Sequence, residues 1–389
     1  MISMSLLALI YISFISLGLP DSLLGSAWPS MIGDLHVPTW GAGPLQMAVS
    51  LCTIISSLNS ARLIRRFGTG RLTAFSVGLT ALALFGFSIA PNYACLLLLA
   101  VPLGLGAGAV DAGLNNYVAL HCAPKYMNWL HCFWGVGTII GPVILSASLS
   151  AGMAWPMGYR CVGALQLALC VVLFATLKLW KQEKIEQEEQ EAKVLTVGQV
   201  LALPGAKPGM LNFFCYCACE QTFMLWAATY MVIARGVDEV QAASFAAIFF
   251  AGMTAGRGVS GFMTMRFTPR QMVRIGQAIL VCGCVMMLLP GQTAMLGGLL
   301  LAGLGCAPVY PNIVQDTPRN YGAENSQAVI GVQMAFAYCG SLFVPSIFAW
   351  LADFAGYGML PVFALALTAI MVVLFNTQAK IVDNLERNR

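Results

Sequence analysis

Charge is what this chain has least of. Only 9% of its 389 residues are Asp, Glu, Lys or Arg, where soluble globular proteins carry about a quarter. A chain that poor in ionic groups is excluded as a soluble enzyme, a nucleic-acid-binding protein or a disordered tail protein. Paired cysteines are also missing. There are 13 cysteines, but Cys52, Cys95, Cys170, Cys282, Cys284 and Cys339 lie inside apolar runs and read as packing residues, which excludes a secreted disulfide scaffold. Cys215, Cys217 and Cys219 alternate around a helix and cannot converge on a metal. With only three histidines and no CxxC pair, no metal site is arguable. No G-x-x-x-x-G-K-[ST] loop is present, so ATP-driven transport is unsupported. No nucleophile–base pair is recognisable, and the chain reads as no enzyme.

What the sequence has in abundance is hydrocarbon, with 59% hydrophobic residues and a mean hydropathy of +0.78. Apolar stretches fall at 4–32, 41–60, 73–90, 93–120, 128–151, 159–179, 208–233, 242–264, 273–290, 294–313, 327–350 and 359–377. Each is about the length that crosses a bilayer, roughly 20 residues. No basic segment precedes the first and no cleavage site follows it, so it is expected to be a retained span. Placing both termini in the cytoplasm puts 17 of the 20 basic residues inside, with Arg160 and Arg235 outside and Arg257 within a span. That asymmetry supports twelve spans, because miscounting by one helix would scramble it. The polar stretch 181–206, opening KQEKIEQEEQEAK, is expected to be a cytoplasmic linker between an amino-terminal bundle, 1–180, and a carboxy-terminal bundle, 207–389.

The two halves repeat. Arg66-Phe67 maps onto Arg266-Phe267, Gly104-Leu105-Gly106 onto Gly303-Leu304-Gly305, and Gly137 with Pro142 onto Gly340 with Pro345. Odd spans match odd and even match even, so the repeats run parallel about an axis along the membrane normal. The expected fold is an all-α membrane protein, twelve transmembrane helices in two parallel-related six-helix bundles. Such an architecture suits alternating access to a central site.

Six plus six spans, a charged central loop and a basic loop after span two resemble the major facilitator superfamily. Its loop motif, Gly-x-x-x-Asp-Arg-x-Gly-Arg-Arg, is matched here by a gating loop with Arg65, Arg66, Gly68 and Arg71, but Arg65 stands where the acid is expected. Those arginines also serve as positive-inside markers. Within the superfamily the chain is most similar to the fucose–galactose–glucose:proton symporter group. The similarity rests on Asp21 in span one, GAGAVDAGLNN in span four, WLHCFWGVGTIIGP in span five and GLGCAPVYPN in span ten. It implies proton-coupled uptake of a monosaccharide.

Several polar residues at membrane depth are candidates for that work. Asp21 follows Pro20 midway along its span. A carboxylate there costs ~2.5–3.5 kcal/mol on insertion scales, so it needs a wet cavity, a partner or a proton. Asp111 shares a helical face with Asn115, four residues on, and has Asn116 beside it. In the group the chain resembles, an acid in this span belongs to proton coupling and sugar binding; the alternative is an Asp–Asn clamp between helices. Glu220 and Gln221 occupy the place in the second half that matches Asp21, with Trp226 and Tyr230 further along. Acid, amide and flat rings together suit a carbohydrate, although Trp and Tyr also favour the headgroup level. Arg257 either pairs with Glu220 or Asp21 across a bundle, or snorkels to the cytoplasmic side. His131 beside Trp134, Tyr310 and Asn312 around Pro311, and Gln333 complete the set facing the expected cavity.

The expectation is a monomeric transporter in a bacterial inner membrane, with the lipid bilayer and a small sugar-like solute as its partners. It needs no cofactor, and a proton, with sodium as the other option, would be the coupling ion. Two alternatives share parts of the pattern: an exporter of amphipathic drugs or lipids, and a membrane receptor that binds without transporting.

Overall fold

Within hydrocarbon a backbone must satisfy its own hydrogen bonds, and a helix does this within one segment. The structure of the chain, a computed structural model, describes residues 4–121, 124–180 and 195–387. Within those helices the side chains of residues 58, 61, 62, 65, 112, 116, 119–121, 124, 125, 127, 128, 323, 324, 326–328 and 386 are not described. Among the described residues sixteen α-helices follow in order: α1 (Met4–Asp21), α2 (Leu23–Leu35), α3 (Ala42–Phe67), α4 (Thr69–Ile89), α5 (Tyr93–His121), α6 (Pro124–Ser150), α7 (Pro156–Ala175), α8 (Val197–Ala202), α9 (Ala206–Arg235), α10 (Glu239–Met263), α11 (Pro269–Leu288), α12 (Gln292–Cys306), α13 (Val309–Gln315), α14 (Thr317–Tyr321), α15 (Ala323–Ala355) and α16 (Leu360–Arg387). Among the described residues ten helical segments are long and apolar enough to cross a membrane, with α1 and α2 forming one broken span and α12 and α13 another. The more polar α3 and α9 are equally long, which is consistent with twelve.

Several boundaries differ from the apolar runs, because helices outlast the hydrophobic stretch. α3 reaches Phe67 and α4 begins at Thr69, leaving Gly68 alone between them. Its φ of 77° is the left-handed turn that glycine adopts freely. α16 continues to Arg387, well past 377. Of the expected linker, 181–194 lies outside the described residues. Its end carries the short α8, opened by a capping box in which Thr196 Oγ1 accepts from the Gln199 backbone and Gln199 Oε1 accepts from the Thr196 backbone.

The chain forms two compact units, the first drawn from both sequence halves and the second, among the described residues, from the carboxy-terminal half. The first comprises the described residues up to 180 with 224–251 and 349–358. Small residues let its helices touch backbone to backbone. A β-carbon on Gly137 of α6 would fall onto the Ile15 carbonyl of α1, and one on Gly106 of α5 would press on the Ser76 carbonyl and Thr80 of α4. Hydroxyls then bridge the close pairs: Thr53 Oγ1 donates to the Gly104 carbonyl at 3.2 Å and Ser57 Oγ to that of Gly108 at 3.1 Å, tying α3 to α5. Pro20 has no N–H, so the Ser16 carbonyl lacks its helical donor. Gln166 of α7 supplies it, Nε2 donating at 2.7 Å, while its Oε1 accepts from Thr80 Oγ1 at 2.6 Å. The α1 break is thereby pinned to α7 and α4. On the far side of that break, Gly25 of α2 lies against the backbones of Met224 and Leu225. Ser30 Oγ donates to Glu239 Oε2 at 2.8 Å and Ser146 Oγ to the Val240 carbonyl at 3.0 Å.

The second unit comprises 195–223, 252–348 and 359–387 of the described chain. It repeats the devices of the first at the positions the sequence repeat marks. Gly340 of α15 meets the Phe214 carbonyl of α9, as Gly137 meets Ile15. Gly305 of α12 meets Gly276 and Leu280 of α11, as Gly106 meets Ser76 and Thr80. The duplication is therefore one of helix crossings as well as of letters.

These crossings predict that Gly137→Leu and Gly340→Leu each overpack a backbone contact, at ~1–3 kcal/mol or more because a carbonyl cannot move aside like a side chain. Size-exclusion profiles of detergent-extracted protein should lose the monodisperse peak for both variants, while Gly331→Leu, with open space around it, should keep it.

Candidate functional site

The break that Pro20 makes in the first span leaves Asp21 at the end of α1, with Ser22 as a turn before α2. One carboxylate oxygen, Oδ2, accepts from the indole Nε1 of Trp134 at 2.8 Å. Trp134 reaches it because Gly18 and Gly137 bring α1 and α6 into backbone contact. Asp111 is held within its own helix: Asn115 Nδ2 donates to Asp111 Oδ1 at 2.8 Å and to the Asp111 carbonyl at 2.9 Å. Both acids thus receive neutral donors, and among the described residues neither has a cationic partner. The Asn115 contact is intrahelical, so the described bonds of Asp111 tie it to no second helix.

Glu220 is treated differently. Arg257 Nη2 stands 3.4 Å from Glu220 Oε1, with the two side chains 17% and 14% exposed. Of the two readings of Arg257, pairing is the one realised, and Glu220 rather than Asp21 is the acid it takes. One turn before Glu220, Tyr216 donates its hydroxyl to the Cys306 carbonyl at 2.9 Å, fixing α9 against α12.

The remaining candidates divide. Tyr310 packs at 4.9 Å on the Phe213 ring and its hydroxyl reaches Met334 Sδ at 3.2 Å. Gln333 Oε1 accepts from Thr317 Oγ1 at 3.1 Å, and Asn312 Nδ2 donates to the Pro308 carbonyl at 2.7 Å. Both amides are buried. Gln221 is half-buried. His131 meets the Phe14 ring edge-on at 5.9 Å. Trp226 is fully buried against Tyr357 at 5.5 Å, and Tyr230 is buried with the Arg235 guanidinium 5.8 Å from its ring. Neither ring presents an open face where it stands. The side chains of Asn116 and Arg65 lie outside those described. Arg66 and Arg71 are exposed, Arg66 resting 5.4 Å over its neighbour Phe67.

An ionic cluster that the sequence reading missed lies in the second unit. Arg270, at the start of α11, donates Nε to Asp316 Oδ2 at 3.2 Å, Nη2 to Asn320 Oδ1 at 3.0 Å and Nη1 to Asp383 Oδ1. Asn320 Nδ2 closes the ring onto Asp316 at 3.1 Å. One guanidinium therefore joins α11, α14 and α16. Counting arginines for topology made Arg270 a marker of sidedness. The signal that could have found its role was a pair of acids, Asp316 and Asp383, near the ends of two other spans.

Removing one member of a largely buried ion pair strands the other. Glu220→Gln alone and Arg257→Gln alone should each destabilise the purified protein by ~3 kcal/mol, and the double variant by clearly less than their sum. Thermal unfolding of all three, followed by tryptophan fluorescence, checks this.

Comparison with known proteins adds a family and a fold. The model described as Major Facilitator Superfamily matches residues 10–325 and 210–387. The chain is 23% identical over 409 residues to the "Bypass of stop codon protein 6" of Saccharomyces cerevisiae, covering 94% of this chain and 80% of that one. It is 24% identical to the uncharacterized MFS-type transporter YfkL of Bacillus subtilis, over 59% of each. Among solved structures, the nucleoside transporter NupG aligns with a TM-score of 0.78 at 12% identity, over 96% of this chain and 98% of that one. A bacterial homologue of the human lysosomal transporter Spinster, in an inward-facing and occupied conformation, gives 0.73 at 13%, over 99% and 98%. The transporter FucP in an outward conformation gives 0.64 at 16%, over 97% and 98%.

Proposed function

The chain belongs to the major facilitator superfamily, and on that basis we propose that it is a secondary active transporter that couples proton entry to uptake of a small neutral polar solute of the monosaccharide class. The observation that carries the reading is the unequal treatment of three membrane-depth acids. Glu220 has Arg257, whereas among the described residues Asp21 and Asp111 have an indole and a carboxamide. Neutral donors leave the cost of a buried carboxylate largely standing, so these two acids are the ones that gain most by taking a proton.

Coupling then follows from linkage. A proton on Asp21 or Asp111 assists solute binding by the same factor by which the solute assists protonation. Asn115, Asn116, His131, Trp134, Tyr310, Asn312 and Gln333 are the polar and aromatic groups we assign to the solute, with Glu220 and Gln221 contributing from α9. Trp226 and Tyr230 join them only if α9 turns those rings out of their present packing. In this reading 1–180 and 207–389 act as the two bundles, 181–206 joins them in the cytoplasm, and both termini lie inside. A fucose:proton symporter and a nucleoside transporter are among the structural neighbours, and they supply two of the solute classes that the test includes.

The test is uptake by proteoliposomes of labelled fucose, galactose, glucose and uridine, with an inward proton gradient and with the gradient collapsed. Accumulation of one solute that needs the gradient is expected; indifference to the gradient for every solute would overturn proton coupling. Asp111→Asn should preserve counterflow exchange and abolish uphill accumulation, and an accumulating Asp111→Asn variant would remove that acid from the mechanism.

A further inference from the structure

Inside the first unit a cavity of about 30 Å³ borders Asp21, with Gln46 of α3 and Tyr159 of α7 also in its wall. A buried water needs ~10–15 Å³ measured this way and two to four polar partners, so there is room for one water and little more. Three groups there have bonding capacity to spare. Asp21 gives Oδ2 to Trp134 and keeps Oδ1. Gln46 Nε2 makes a long 3.3 Å bond to Ser50 and leaves its amide oxygen and second N–H. Tyr159 is only 2% exposed, and its hydroxyl reaches no better acceptor among the described residues than Met31 Sδ at 3.9 Å. The rest of the wall is hydrocarbon, chiefly Leu24, Val49, Leu84 and Phe87.

We propose that this cavity holds a single water fixed by Tyr159, Gln46 and Asp21 Oδ1, and that this water is the immediate proton carrier for Asp21. The inference rests on the reading above that Asp21 takes part in proton coupling. A proton reaching the water makes a hydronium; one of its O–H bonds breaks as a new one forms at Oδ1, leaving neutral water and a carboxylic acid. Discharge is the reverse. Tyr159 and Gln46 keep their own protons and act as positioning residues. Asp111 on α5 is a second ionisable group that acts on Asp21 electrostatically, more weakly than the burial of Asp21 and its Trp134 bond. Water is favoured over a sodium ion because three oxygens in an otherwise apolar wall are too few to replace a metal ion's hydration shell. The device would let Asp21 exchange its proton without the proton crossing the solute.

The experiment is infrared difference spectroscopy of the full-length protein in lipid vesicles as the pH is stepped down, with Asp21→Asn and Asp111→Asn assigning the carboxylic-acid bands. The Asp21 band should move to higher wavenumber in Tyr159→Phe, where the water loses its anchor. It should move the same way in Ala107→Val, which adds methyl groups at the cavity wall. Initial rates of proton-driven uptake should fall several-fold in both, with counterflow exchange retained. An Asp21 band unmoved in both variants would overturn the water while leaving Asp21 as a coupling acid. A band that responds to sodium at fixed pH would replace water by the cation. Absence of any Asp21-dependent band in the unsubstituted protein would sink the coupling role of Asp21 along with the water.

Discussion

A polar group placed in hydrocarbon has no water to fall back on, and nearly every feature of this chain follows from how that debt is met. The backbone meets it with helices. Where Pro20 removes a donor, a glutamine from another helix replaces it, and that glutamine is in turn satisfied by Thr80. Where helices approach closely, serine and threonine hydroxyls take the exposed lone pairs of the neighbouring carbonyls. Arginines are met by carboxylates, at Glu220 and around Asp316. Two carboxylates at membrane depth, Asp21 and Asp111, stand apart because among the described residues only neutral groups attend them, and a functional reading begins there.

The large-scale architecture was legible in the sequence because it is written in quantities that survive without knowing contacts. Helix length against bilayer thickness, the sidedness of arginines and an internal repeat each report a global property. The glycines at 106 and 137 and at 305 and 340 were legible as a repeat, and the packing gives the physical reason: each stands where another helix's backbone leaves no space for a β-carbon.

Partner choice was not legible in the same way. Glu220 and Arg257 are 37 residues apart on different helices, and nothing in either segment says how the helices are rotated. The same blindness hid the cluster around Arg270, whose three partners come from two further helices. Asp111 with Asn115 could be read because both lie on one helix with a fixed pitch. Trp226 shows the converse limit: an aromatic beside an acid suggests a wall for a ligand, and in this structure its ring is packed against Tyr357. Sequence reveals periodicity along a helix; it does not reveal azimuth between helices.

The glycine crossings have a mechanical consequence. A contact made of carbonyl against bare α-carbon carries no interlocked side chains, so it resists pulling apart but offers little to stop two helices rolling along each other. The Arg270 cluster is the reverse, a three-way bolt that fixes α11, α14 and α16 in register. Within the second unit a smooth bearing between α9 and α15 thus sits alongside a fastened joint. Shear of small amplitude is therefore expected where the glycines are and not where the guanidinium is.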